Sequence, residues 1–372
     1  MTLDLFTPMK PTADLHPQYE MLRTHSAYAP ARGVMGDLMT DFTDPDGNFV
    51  EQFQTAGFDA RTFELYLYAM FKEQGFTIDR SFERPDFILE KGGKRVCVEA
   101  VTATSGGGGT PQPYSPFPDP KTQAEAEQYL LNEVSIRFGS PLFSKLKKKY
   151  WELPQCVDTP LVIAIESFHG AGSLGISSSS LSRYLFGVHT DWYFDDQEQL
   201  VIIPKAVTEH VAGLKKIPSG FFKQLGGEHI AGVLFSNSGT AAKFNRMGHQ
   251  GKHHCDAVRM FRYGTCYRWD SNATIPAPFV YEIGDAEAIE SWRQGAILIK
   301  NPGALHPLPD EWFGAAAEES LVNGMIIPKF APGEDLLPYM SLTTMFPSAA
   351  PKPWVEAQVS AMTGPLFALY PA

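Results

Sequence analysis

The sequence lacks the features that mark several classes of protein. None of its apolar runs approaches the roughly 20 residues of a membrane-spanning helix. Its first residues lack the basic region and the apolar region of a signal peptide. Cysteine is scarce, with 4 widely spaced residues and no C-x-x-C pair, which favours reduced thiols over a disulfide framework. These absences predict a cytoplasmic protein without a membrane partner.

Positive charge is also scarce, because 31 Lys and Arg face 42 Asp and Glu and give a net charge of −11. This balance argues against broad, non-specific binding of nucleic acid, although it leaves room for a local basic groove. Two basic clusters stand out, and each is either a solvated face or a phosphate-binding surface. The first covers residues 145–149, and the second contains Lys243, Arg246, Lys252, Arg259, Arg262 and Arg268.

Familiar catalytic motifs are missing as well. There is no P-loop, Rossmann glycine motif, nucleophile elbow or kinase motif set. Three short patterns invite a metal or acid–base role, but a polar turn, a basic loop that touches phosphate and a structural histidine explain them better. These patterns are Asp41 to Asp46, His253 to Cys255, and His306.

The most informative stretch covers residues 85–101. Two strand-like apolar runs flank Gly92-Gly93, which predicts a β-hairpin. Side chains alternate along a strand, so the second run separates into two faces: Val96, Val98 and Ala100 on one, and Cys97, Glu99 and Val101 on the other. Asp86 begins the first strand, so the hairpin can bring its carboxylate close to that of Glu99. Because a buried acid must be paired or bind a metal, we expect chemistry here.

A helix is predicted just before this hairpin. Phe63, Leu67, Met70 and Phe71 repeat at helical spacing over residues 60–75. Glu64 lies at the border of this apolar stripe. It is either an ordinary first-turn glutamate, favoured by the helix dipole, or a third acid of the site.

Together these residues resemble the PD-(D/E)xK nuclease superfamily over roughly residues 60–168. Its signature is a Pro-Asp at the start of a hairpin, a Glu-x-Lys on the next strand and an acid on the preceding helix; Pro85-Asp86, Glu99 and Glu64 match these parts. The resemblance implies an α/β protein with a restriction-endonuclease-like αβββαβ core and a mixed central sheet. It further implies Mg²⁺ or Mn²⁺ held by Asp86, Glu99 and the carbonyl of Ala100, with Glu64 contributing directly or through water.

One departure from the signature is Val101, which stands where the superfamily has its lysine. Helices are predicted over residues 122–138 and 140–153, with Pro141 in the first turn of the second. Lys145 and Lys149 flank the apolar stripe of that helix. They are candidates for a relocated catalytic lysine, or they form a solvated face.

The remaining segments complete the predicted architecture. The apolar run 160–167 predicts a central strand beside the Glu99 strand, followed by a helix capped by Ser177 or Ser178. The four glycines 106–109 predict a mobile loop beside the site. Residues 1–59 are expected to form an extended arm or irregular cap with a short helix near 38–43, and residues 60–190 the nuclease-like core.

Residues 191–372 are expected to elaborate the same sheet or to form a second α/β lobe, and the chain after 330 to wrap the surface. Strand-like runs are at 200–203, 230–235, 279–283 and 296–299. Residues 234–240 resemble segments of bacterial proteins without an assigned function, which implies a prokaryotic source.

Three functions are compatible with these patterns. The first is a metal-dependent phosphodiesterase that cuts nucleic acid, DNA in preference to RNA. The second is a nuclease-fold binding or scaffold protein without catalysis, for example in prokaryotic defence, which Val101 and the acidic net charge favour. The third is an α/β enzyme of small molecules, for which the sequence offers no cofactor motif. A homo-oligomer is compatible with all three.

Overall fold

An eight-stranded mixed sheet runs through the centre of the protein. The computed structural model describes residues 3–104, 122–170, 172–286 and 288–371. The strands in these ranges are β1 Thr77–Asp79, β2 Phe87–Lys91, β3 Lys94–Thr104, β4 Leu161–Phe168, β5 Val188–Phe194, β6 Leu200–Ala206, β7 Glu209–Ala212, β8 Lys215–Pro218, β9 Ile230–Ser236, β10 Val258–Cys266, β11 Ala277–Glu282, β12 Ala296–Lys300, β13 Ala317–Val322, β14 Met325–Phe330 and β15 Pro338–Pro347. The central sheet has the order β1-β2-β3-β4-β9-β12-β13-β14.

Helices cover both faces of this sheet. They are α1 Pro17–Thr24, α2 Ala29–Leu38, α3 Phe49–Gln54, α4 Phe58–Glu73, α5 Gln123–Gln128, α6 Val134–Leu146, α7 Ser179–Phe186, α8 Ala241–Gln250 and α9 Lys352–Leu369. The protein is therefore of the α/β class, as the sequence predicts. Strands β9, β12, β13 and β14 continue the sheet that β1–β4 begin, so much of the C-terminal half elaborates the same sheet.

The predicted hairpin is present as β2 and β3. Gly92 and Gly93 both have positive φ, of 60° and 71°, which a two-residue turn between twisted antiparallel strands requires. The register pairs Lys91 with Lys94 and Phe87 with Val98. On its other side β3 pairs in parallel with β4, whose eight residues are all buried, as expected for a central strand.

The two faces of β3 belong to two different hydrophobic cores. Val96 and Val98 pack with residues of α1–α4. Cys97 packs on the opposite side with residues of α6 and α7, and Val101 lies against this second core. The alternation predicted for this strand is therefore confirmed. It places Glu99 on the side of the sheet that α6 covers.

The N-terminal residues form three helices, α1 to α3, and the short helix expected near residues 38–43 is absent because α2 ends at Leu38. Prolines at the first turn of α1 and α2 begin these helices instead of interrupting them. Tyr19, Leu22, Phe49 and Phe53 are fully buried. This segment is thus part of the first core, which neither an extended arm nor an irregular cap would provide.

Helix α6 also differs from the prediction, because it continues through Pro141 and ends at Leu146. A π-helical turn, Tyr129–Glu133, precedes it. Val134, Phe138, Leu142 and Leu146 form one buried stripe at helical spacing. The packing of this stripe outweighs the hydrogen bond that a proline removes from a helix interior.

The chain after residue 330 does not simply wrap the surface. β15 pairs with β10, and β10 pairs with β11, so that these strands form a separate three-stranded sheet. Helix α9 packs on this sheet through Val355, which is fully buried.

Two further expectations concern membranes and thiols. Within the described ranges, no helix has the length and apolar content needed to cross a bilayer. All 4 cysteines are free thiols, and 3 of them are buried.

Candidate active site at the hairpin of strands β2 and β3

The carboxylates of Asp86 and Glu99 meet at the open end of the hairpin. Asp86 directly precedes β2 and is partly exposed, whereas Glu99 lies within β3 and is 4% exposed. The backbone N–H of Ala100 donates to Oδ2 of Asp86 at 2.7 Å, which fixes the aspartate against the second strand. The pairing of Phe87 with Val98, continued by one residue, places Asp86 opposite Glu99.

Asp86 lies near two other carboxylates, and their charges affect its pKa. Burial raises the pKa of Asp86 well above its usual value, and the carboxylates of Glu99 and Glu64 raise it further. The charge of Lys145 and the hydrogen bond from Ala100 act in the opposite direction. A second positive charge near Asp86 would therefore be strongly favourable.

Glu99 has one satisfied oxygen and one unsatisfied oxygen. Its Oε1 accepts a hydrogen bond from the hydroxyl of Tyr150 at 2.6 Å and another from the ammonium of Lys145. Within the part of the chain that the structure describes, its Oε2 is buried without a hydrogen-bond partner. Because a buried carboxylate oxygen without a partner is costly, this atom is a candidate ligand position.

Lys145 comes from the last turn of α6 and is largely buried, with 16% of its side chain exposed. Its contact with Glu99 supplies an ammonium group beside the strand position where Val101 supplies none. Lys149 does not join the site. It lies beyond the end of α6 with a φ of 50°, and its ammonium binds the exposed Glu152 at 2.9 Å.

Glu64 is buried on α4, but both of its oxygens are engaged by arginines. Nη1 of Arg61 donates to Oε2 at 2.5 Å, and Nη2 of Arg80 donates to Oε1. Arg61 also feels the charge of Asp86. Glu64 thus stands close to the acid pair as an anchor for two arginines, and in this arrangement its oxygens are not free for a metal ion.

Sequence reasoning missed three members of this site. Arg61 precedes Glu64 by one helical turn, a spacing that could have indicated the ion pair. Arg80 and Tyr150 carry no such local signal, because Arg80 follows β1 and Tyr150 begins a short turn beyond the end of α6. Burial raises the pKa of the Tyr150 hydroxyl, and Glu99 raises it further, so this group stays protonated and donates to Glu99.

The donor set of this site suits a hard cation. The oxygens of Asp86 and Oε2 of Glu99 are the ligand type that Mg²⁺ prefers, and Mg²⁺ completes its shell with water and substrate. Among the residues that the structure describes, no group of three His, Cys, Asp or Glu side chains converges on one point. A cation here would therefore depend on two carboxylates, with the carbonyl of Ala100 as the predicted third ligand.

Half of the second basic cluster is buried, whereas its member Lys252 is 73% exposed and binds Asp37 at 2.9 Å. Lys243, Arg246 and Arg262 are at most 3% exposed and surround the buried carboxylate of Glu290. The sequence pattern was misleading because Glu290, the acid that pairs with these three cations, lies far along the chain from them. Of the other members, Arg259 binds Glu282 and Arg268 donates to backbone carbonyls.

Two further sequence patterns have plain outcomes. The loop of four glycines, 106–109, lies outside the described residues. In the histidine cluster, Nε2 of His253 lies 2.5 Å from Oδ2 of Asp37 and Nδ1 of His254 lies 2.9 Å from the carbonyl of His249. These two rings therefore contact other parts of the chain and do not face one another.

Comparison of the chain with models of protein families, with curated proteins and with solved structures found no match. The residues of the site and their chemistry are therefore the basis for a function.

Proposed function

We propose that the protein is a metal-dependent phosphodiesterase that hydrolyses nucleic acid at the Asp86–Glu99 pair. The described elements run in the order α4, β1, β2, β3, α5, α6, β4, which resembles the αβββαβ order of a restriction-endonuclease-like fold with two helices in place of one before the last strand. The observation that carries the proposal is Oε2 of Glu99, a buried carboxylate oxygen without a partner beside a second carboxylate whose pKa is raised. This combination is typical of a site that gains a cation.

Asp86 and Glu99 would hold Mg²⁺ or Mn²⁺, with the carbonyl of Ala100 as a third ligand. The ion lowers the pKa of a bound water and neutralises charge on the phosphate. The hydrogen bond from Ala100 leaves Oδ1 of Asp86 available while it fixes the aspartate in place. Glu64 acts indirectly in this proposal, because it binds Arg61 and Arg80, and the charge of Arg61 interacts with that of Asp86.

Lys145 would act as the catalytic lysine, because Val101 occupies the position where the superfamily has one. Its ammonium contacts Oε1 of Glu99 and leaves Oε2 to serve the cation. A positive charge held beside the metal ligands stabilises negative charge that develops on a phosphate. Tyr150 donates to the same oxygen and keeps the carboxylate in one orientation.

A second candidate function has one observation in its favour. Lys145 forms an ion pair with Glu99, and the pKa of Asp86 is raised. The two carboxyl groups can therefore remain side by side without a metal ion. A site of this kind would suit a nucleic-acid sensor or a scaffold of nuclease fold that has no catalytic activity.

The deciding experiment is a cleavage assay on plasmid, linear and single-stranded substrates with Mg²⁺ or Mn²⁺. We expect Asp86→Asn and Glu99→Gln to abolish metal-dependent cutting, and Lys145→Met to slow it by roughly 100-fold, as the loss of one charge-stabilising donor does. Lys149→Met is the matched control, since it removes a lysine four residues away that lies outside the site. Its activity should equal that of the wild type.

The alternatives give different results. Cutting that survives in Asp86→Asn would contradict this site. If no substrate is cut and divalent metal does not raise the melting temperature, the non-catalytic function is favoured, because a ligand that binds only the folded state must stabilise it.

A further inference from the structure

An open cleft of about 520 Å³ lies beside the acid pair. It is lined by Gln155 and by Ser81, Phe82, Glu83 and Arg84 of the segment between β1 and β2. This segment continues through Pro85 into Asp86. The amide of Gln155 donates to the carbonyl of Arg84 and ties the two walls together. The cleft therefore adjoins Asp86 along the chain, two residues after Arg84.

One aromatic ring that lines this cleft is exposed, and three cations lie on or near the segments that form the cleft. Phe82 is 39% exposed although it is a large apolar residue. Arg84 lines the cleft, and the ammonium of Lys148 lies 6.0 Å from the centre of the Tyr150 ring. The charge of Arg84 acts on Tyr150, and the charge of Arg95 acts on Cys156, the neighbour of Gln155. Among the described residues that line the cleft, Glu83 is acidic.

The depth of the acid pair limits what can reach it. Glu99 is 4% exposed, and Lys145 is also largely covered. A duplex is a stiff rod that presents its phosphates on a broad convex surface, so it cannot place one of them beside a recessed carboxylate without distortion. A single strand can bend a phosphate inward while a base stacks on an aromatic ring, and cations hold the adjoining phosphates.

We propose that this cleft binds single-stranded nucleic acid, with a base stacked on Phe82 and phosphates contacted by Arg84, Arg95 and Lys148. The cutting step rests on the proposed function, whereas binding at the cleft does not. Because the net charge is −11, attraction of phosphates depends on local groups of cations such as this one. A patch of three cations contacts only a few nucleotides.

The test measures binding in the absence of cutting. Asp86→Asn protein in EDTA is titrated into a fluorescein-labelled single-stranded oligonucleotide and into the matching duplex, and anisotropy is recorded at several salt concentrations. We expect the single strand to bind about tenfold more tightly than the duplex. Phe82→Ala in the same background should weaken binding by about tenfold, in line with the loss of one stacked base. Arg84→Gln should reduce the salt dependence by about one phosphate contact.

Phe143→Ala is the matched control, because Phe143 is a phenylalanine with 42% exposure that lies beside Lys147 on α6, two residues from Lys145. Binding should not change in this variant. Equal affinity for duplex and single strand, or equal effects of Phe82→Ala and Phe143→Ala, would overturn the proposal. Single-strand binding by a wild type that never cuts would uphold it and contradict the phosphodiesterase. Metal-dependent cutting without any preference for single strands would contradict binding at the cleft and uphold the phosphodiesterase.

Discussion

At the scale of single residues, the buried acids differ in what neutralises them. Glu290 is surrounded by three cations. Burial alone would raise its pKa, but Arg246, Arg262 and Lys243 outweigh burial and hold the pKa well below the usual value. Glu166 is equally buried on β4, yet among the described residues its hydrogen-bond partner is the backbone N–H of Gly239, at 2.8 Å from Oε1, and its Oε2 has no partner there. Burial therefore raises the pKa of Glu166 well above the usual value.

This contrast predicts a pH-dependent effect of Glu166→Gln. A carboxyl group whose pKa is higher in the folded than in the unfolded chain binds more protons when folded, so the wild type loses stability as pH rises from the unfolded pKa through the folded pKa. Glutamine does not titrate and still accepts from Gly239. The free energy of unfolding of the variant, relative to the wild type, should therefore increase by about 1 kcal/mol or more between pH 4 and pH 8.

Urea denaturation across this pH range, followed by tryptophan fluorescence, measures the difference. Glu152→Gln is the control, because Glu152 is 60% exposed and its removal should produce little change with pH. A difference between Glu166→Gln and wild type that stays constant with pH would show that Glu166 does not ionise in this range.

At the scale of elements, the hairpin of β2 and β3 positions both carboxylates, and its turn depends on two glycines. Gly93→Ala places a side chain at a φ of 71°. We expect a loss of about 1 kcal/mol, the cost of a left-handed conformation for a residue with a Cβ atom. Gly36→Ala in α2 is the matched control, because a Cβ there meets nothing within 4 Å and alanine favours the helix. The two changes should shift the melting temperature in opposite directions.

Elements also show what the sequence could predict. The hairpin was predictable because strand alternation and a Gly-Gly turn are local, and β4 was predictable because a strand buried on both faces is continuously apolar. Helix α6 was placed wrongly, since the sequence showed Pro141 but not the core that holds the helix through it. The contact of Lys145 with Glu99 spans 46 residues, and only the packing of α6 on β3 selects Lys145 over Lys149.

At the scale of the whole molecule, the central sheet and the sheet of β10, β11 and β15 are joined by a buried ionic cluster. Lys243 and Arg246 come from α8, Arg262 from β10, and Glu290 from the segment before β12. Burial lowers the pKa of Lys243 to about 8, although Glu290 opposes this shift. Three cations from two elements, α8 and β10, therefore depend on one carboxylate in a third segment, a convergence that no sequence pattern indicates.

Glu290→Gln should be among the most destabilising single substitutions in the protein. It retains the shape of the side chain but leaves three buried cations without a counter-charge, which in other proteins costs about 3–5 kcal/mol. Glu282→Gln removes the exposed partner of Arg259 and should cost less than about 1 kcal/mol. Urea unfolding at pH 7 compares the two. Nearly equal losses of unfolding free energy in the two variants would mean that the cluster has no net stabilising role. A much larger loss in Glu290→Gln would show that its carboxylate stabilises the contact between α8 and β10.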